Sequence, residues 1–72
     1  MSVGENIRRI RIAKDIQQID LAEKAYVTQA MICQIERGTK NPSLQVANEI
    51  AKALGCSLEE LLKEDNGKGT KV

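Results

Sequence analysis

At 72 residues, 42% of them apolar and 29% charged, with a net charge of +1, one aromatic and no histidine, the chain encodes one small domain whose core must be efficient or shared with a partner. The missing imidazole removes histidine-based nucleophile chemistry, and Cys33 and Cys56 lie too far apart for the paired thiolates of a small zinc site, so no metal, cofactor or enzymatic activity is expected. Tyr26 alone cannot build a stacking platform for single-stranded nucleic acid, and with no signal peptide or membrane-length apolar run a cytoplasmic location is expected.

Hydrophobic spacing is helical along the chain, and capping and breaking residues cut it into five segments. Val3, Ile7 and Ile10 mark one face of a first helix over residues 3–14. A short second helix runs from Gln18 to Ala25 with Leu21, Ala22 and Ala25 inward. Thr28 supplies a hydroxyl cap for a third helix carrying Ile32 and Ile35, and Gly38 can take the left-handed conformation that ends it. Only Tyr26 and Val27 separate the second helix from that cap, which forces the two helices to cross at a large angle.

Downstream, Asn41-Pro42-Ser43 is a loop and start signal for a fourth helix over residues 43–54, whose buried stripe is predicted at Leu44, Ala47, Ile50, Ala51 and Leu54, with Gly55 as its stop. Ser57 and Glu60 form a capping box opening a fifth helix over residues 57–64, with Leu58, Leu61 and Leu62. Residues 65–72 offer no packing residue before Val72 and are expected to be disordered. The expectation is an all-α, five-helix domain over residues 1–64.

Charge is unevenly placed: residues 1–40 hold seven cations against five acids, and residues 41–65 hold two against five. Such a split suggests one face for a polyanion and another turned away from it. The informative stretch is residues 17–38, where a short helix, a tight turn and a nine-residue helix have the geometry that lets one helix cross a phosphate backbone while the next enters the major groove. With Ile32 and Ile35 inward, helical periodicity leaves Ala30, Cys33, Gln34 and Arg37 outward, and Gln29 at the exposed first turn.

Several strings in this order resemble the lambda-repressor-like helix-turn-helix family of the Xre/Cro type, found in bacterial and phage transcription regulators. They are Gln18 with Leu21-Ala22, Val27-Thr28-Gln29, Ile32, Ile35-Glu36-Arg37-Gly38, Asn41-Pro42-Ser43-Leu44 and Ala51-Lys52-Ala53-Leu54-Gly55, spanning residues 3–64. The resemblance implies a sequence-specific regulator of double-stranded DNA. Gln29, Ala30, Gln34 and Cys33 would face base edges: an amide can pair with adenine in a bidentate manner, and the alanine methyl can meet thymine. Gln18, Thr28, Arg37, Thr39 and Lys40 would lie along phosphates, positioning without reading sequence. Arg11 and Glu36 would form an internal ion pair joining the first helix to the third.

Two residues depart from the family pattern. Tyr26 stands where the family usually has glycine, so it either carries about 1 kcal/mol of strain at positive φ or adopts another turn, and its phenol could reach a phosphate. Cys33 is a thiol where a polar residue is usual; it is read as a small tolerated side chain, with oxidation as the less favoured alternative. Family members often pair through their C-terminal region, so Leu58, Leu61, Leu62 and Ile50 are the expected homodimer interface, which would match an inverted repeat. A competing reading is a protein-interaction module of the same fold, an antitoxin or adaptor with an unknown protein partner.

Overall fold

Hydroxyl caps open four of the five helices in the computed structural model, which describes residues 2–63. Helix α1 (Val3–Ala13) starts at Ser2, which accepts from the Glu5 amide at 3.1 Å while the Glu5 carboxylate accepts from the Ser2 amide. Helix α2 (Gln18–Lys24) has no side-chain cap. Thr28 accepts from the Met31 amide at 3.1 Å to open α3 (Gln29–Arg37), and Ser43 accepts from Val46 at 3.1 Å to open α4 (Leu44–Leu54). Ser57 and Glu60 form the reciprocal box of α5 (Leu58–Leu62). Each such cap contributes about 1 kcal/mol, a useful sum in helices of 5 to 11 residues. Gly38 and Gly55 close α3 and α4 in the left-handed region at φ 87° and 74°.

Every helix sends at least one large side chain to a common centre: Ile7 from α1, Leu21 from α2, Ile32 and Ile35 from α3, Ile50 from α4 and Leu61 from α5 are fully buried. Each is worth about 1.5–3 kcal/mol relative to exposure. Helix α3 rests on α1 and α2, while α5 closes the opposite end against α1 and α4. That arrangement holds the recognition candidate from behind and leaves its outer side bare.

Several expectations are corrected by this packing. Leu44, predicted in the buried stripe of α4, is 71% exposed, because the first residue of the helix projects beyond the core that Ala47, Ile50, Ala51 and Leu54 reach. Ile50 and Leu61, expected at a dimer surface, have no accessible area and belong to the core. The expected last residue of the fifth helix, at 64, and the tail at 65–72 lie outside the described residues. No helix among the described residues is long and apolar enough to cross a membrane.

Asn6 joins α1 to the end of α5. Its buried amide donates to the carbonyls of Leu61 at 2.8 Å and Lys63 at 2.9 Å, supplying partners that the end of α5 lacks within its own helix. Arg9 in turn donates to the Asn6 carbonyl oxygen at 3.2 Å.

Tyr26 adopts φ 62° and is 85% exposed, so the αα turn keeps the left-handed conformation with the residue largely open to solvent. The left-handed region costs a non-glycine residue about 1–2 kcal/mol, whereas glycine adds about 0.5–1 kcal/mol of unfolded-state entropy to be lost on folding. Tyr26→Gly is therefore expected to stabilise the fold by about 0.5–1 kcal/mol, read as a higher urea midpoint at unchanged slope. A lower midpoint would mean that the ring makes an interaction worth more than the strain.

Candidate nucleic-acid interface

The α2-turn-α3 segment is fixed to α1 by one buried polar cluster. Arg11 on α1 donates through Nε to Glu36 Oε2 at 2.7 Å and through Nη2 to Oε1 at 3.1 Å, a bidentate pair whose side chains are 12% and 3% exposed. Its remaining Nη1 donates to the Ile16 carbonyl at 2.8 Å, anchoring the α1–α2 loop. Gln18, at the first turn of α2, donates to Glu36 Oε1 at 3.0 Å. One carboxylate on α3 thus collects donors from both preceding helices.

Gly4 permits this approach. A Cβ at Gly4 would overlap the Ile35 carbonyl oxygen and would stand 2.9 Å from the Ile35 carbonyl carbon and 3.1 Å from Glu36 Cα. The backbones of α1 and α3 meet where only a hydrogen atom fits. The signal for Gly4 in the sequence is its isolation within an amphipathic helix, a sign of close packing.

Beyond this anchor, Gln29, Ala30 and Gln34 are all exposed on α3. They present two amides and a methyl, groups suited to base edges, on a helix immobilised from behind. Arg37, Lys40 and Tyr26 are exposed at the two ends of the same helix. Thr28 uses its oxygen to cap Met31, which leaves the hydroxyl proton available to an external acceptor. Gln18 commits one amide proton to Glu36 and keeps the other.

Two expected contacts are placed differently. Thr39 donates its hydroxyl proton to the Gln34 carbonyl at 3.1 Å, where its backbone amide also binds; the side chain caps the end of α3 and offers no proton to a phosphate. Cys33 shares a stripe of α3 with Gln29 and Arg37 but is half-buried beside residues of α1 and α2, where Gln29, Ala30 and Gln34 are exposed. It forms the wall of a groove of about 480 Å³ lined also by Glu5, Arg8, Gln18, Glu36 and Arg37. Cys56, between α4 and α5, is held as a neutral thiol: burial pushes its pKa up, Glu60 adds to the rise and Lys14 opposes it.

No cluster of potential metal ligands occurs among the described residues. The helix-turn-helix family model matches residues 7–61. The immunity repressor of Bacillus phage phi105 is 37% identical over 65 residues, covering 90% of this chain and 45% of the repressor. Control protein C.BamHI of Bacillus amyloliquefaciens is 40% identical over 60 residues, covering 82% of this chain and 74% of its own length. Among solved structures, the P22 c2 repressor in complex with a synthetic operator superposes with a TM-score of 0.82 at 35% identity, covering 90% of this chain and 98% of that one. The chain therefore spans less than half the length of the phage phi105 repressor but nearly all of the operator-bound P22 c2 chain.

Proposed function

This chain belongs to the lambda-repressor-like helix-turn-helix family of the Xre type, and from that membership we propose that it is a cytoplasmic, sequence-specific regulator of transcription that binds an inverted repeat in double-stranded DNA as a homodimer. The carrying observation is the surface of α3: Gln29, Ala30 and Gln34 stand exposed on a helix whose reverse side is locked to α1 and α2 through Glu36. In this reading α3 enters the major groove, and Gln18, Thr28, Arg37, Lys40 and the phenol of Tyr26 border the flanking phosphates. Cys33 lies at the edge of the contact, and Thr39 supports it by capping.

Division of labour between amides and cations gives the test. Gln29→Ala is expected to cost about 1–3 kcal/mol on the preferred sequence and to relax selection at one base pair of each half-site. Lys40→Ala should weaken all sequences alike and flatten the dependence of log affinity on log salt, which for a dimer neutralising about 6–10 phosphates has a slope near −5 to −9. Selection of bound duplexes from a random pool, followed by anisotropy titration at several salt concentrations, separates the two. An exchange of these effects between the residues would overturn the assignment. Failure of the wild type to select any duplex would favour the protein-interaction reading.

Pairing through the C-terminal region is supported by Leu62, which is 47% exposed, and by the half-buried Leu58. With Ile50 and Leu61 withdrawn into the core, these two carry the apolar contribution of the expected interface. Leu62→Glu should shift the sedimentation equilibrium toward monomer and lower affinity for a two-half-site duplex, while the melting temperature stays within a few degrees. Retention of the wild-type association constant would exclude α5 from the dimer contact.

A further inference from the structure

The groove between α1 and α3 contains more cationic capacity than the fold uses. Both of its carboxylates are engaged: Glu5 closes the capping box of α1 by accepting from the Ser2 amide, and Glu36 accepts three hydrogen bonds from Arg11 and Gln18. Arg8 from α1 and Arg37 from α3 also line the groove, and among the described residues neither forms an ion pair. Both side chains are exposed. The half-buried Cys33 lines the same groove, whose volume of about 480 Å³ has room for a tetrahedral anion. Gln18 adds a neutral donor at the same place, with one amide proton still free.

We infer that Arg8 and Arg37 are two sides of a seat for a single DNA phosphodiester, which makes α1 a DNA-contacting element alongside α2 and α3. The inference rests on the DNA-binding reading above and deepens it by adding a contact outside the helix-turn-helix. Cys33, Arg37 and Gln29 are spaced on one flank of α3, at i, i+4 and i−4, so a phosphate in the groove lies beside the base-reading surface instead of beneath it. A guanidinium suits the role because its planar donors can grip two phosphate oxygens at once. Arg11 is already committed to Glu36 and the Ile16 carbonyl and does not line the groove, so the grip falls to Arg8.

The test compares the full-length chain with its Arg8→Gln, Arg8→Lys and Lys52→Gln variants on a duplex chosen by selection with the wild type, across a salt series. Lys52→Gln removes an equal charge from the exposed side of α4 and controls for the field of the whole protein. Arg8→Gln is expected to lower affinity about 5–10-fold on selected and unrelated duplexes alike and to reduce the salt slope by about 0.9 per bound protomer. Arg8→Lys keeps the slope. Replacing phosphates one at a time by neutral methylphosphonate should reveal one position per half-site where wild-type affinity falls and Arg8→Gln affinity does not. Equal salt slopes for Arg8→Gln and Lys52→Gln, or no position at which only the wild type responds, overturn the phosphate seat while leaving the DNA-binding reading intact. Absence of DNA binding by the wild type overturns both, and that result is read before any variant is compared.

Discussion

Gly4→Ala is expected to destabilise the domain by about 3 kcal/mol or more, although helix propensity alone predicts the opposite sign. In an unpacked helix the change would gain about 0.5–1 kcal/mol, because alanine loses less backbone entropy. Here the added methyl meets backbone: it overlaps the Ile35 carbonyl oxygen and lies 2.9 Å from the carbonyl carbon. Backbone atoms cannot rotate aside as a side chain can, so α1 and α3 must separate. That separation lengthens the Arg11–Glu36 bonds and opens the core around Ile7, Ile32 and Ile35, costs that overpacking studies place at 1–3 kcal/mol or beyond. A chain of this length has roughly 4–11 kcal/mol of stability in total, and 3 kcal/mol corresponds to a fall in melting temperature of about 12–24 °C. Thermal melting followed by circular dichroism measures it. An unchanged or raised melting temperature would show that the helices have slack at this crossing. Because the displaced element is α3, a partly folded Gly4→Ala population is also expected to bind DNA less tightly under the proposed function.

The contrast between Gly4 and the capping residues explains what the sequence discloses. Thr28, Ser43, Ser57, Gly38 and Gly55 act on backbone groups within a few residues of themselves, so their positions locate helix ends within a residue or two. The segment order and the exposed amides of α3 were legible for the same local reason. Partners distant in sequence are a different matter. Asn6 finds the carbonyls of Leu61 and Lys63 across 55 and 57 positions, and no periodicity announces that pairing. Three leucines within the five residues of α5 cannot be sorted by pattern alone; packing against α1 and α4 buries Leu61 and leaves Leu62 half outside. Leu44 escapes the core because the spacing that aligns it with Ala47 and Ala51 does not say where the core stops. Asp15, at φ 60° in the α1–α2 loop, gave no warning of its left-handed backbone, whereas Tyr26 did so only by standing where related chains have glycine. Cys33 followed the helical wheel but lies close enough to α1 and α2 to become a groove wall. The wheel describes one helix and has no term for its neighbours.

Glu36 carries the second large expected effect, since one carboxylate ties together three segments. Glu36→Gln removes the charge facing Arg11, leaving a guanidinium that is 12% exposed without its counter-ion. Breaking one side of such a pair costs about 3–5 kcal/mol, most of it the uncompensated burial of the remaining charge. The amide can still accept from one donor, which places Glu36→Gln toward the lower end of that range and Glu36→Ala toward the upper. Whether the pair stabilises the fold is a separate question, because two well-packed apolar side chains can replace a buried ion pair with little loss or even a gain. A cycle comprising Arg11→Met, Glu36→Leu and the double variant resolves it by chemical denaturation. Each single variant should lose several kcal/mol, and the double variant should recover most of that loss, giving a coupling energy of about 2 kcal/mol or more. Additive losses would mean that the two groups act through other partners, with the Ile16 carbonyl and Gln18 foremost. DNA binding by the double variant then distinguishes holding from orienting. If stability returns but affinity does not, the function of the pair lies in directing Gln18 and the start of α2, since the apolar substitute restores packing and offers Gln18 no acceptor.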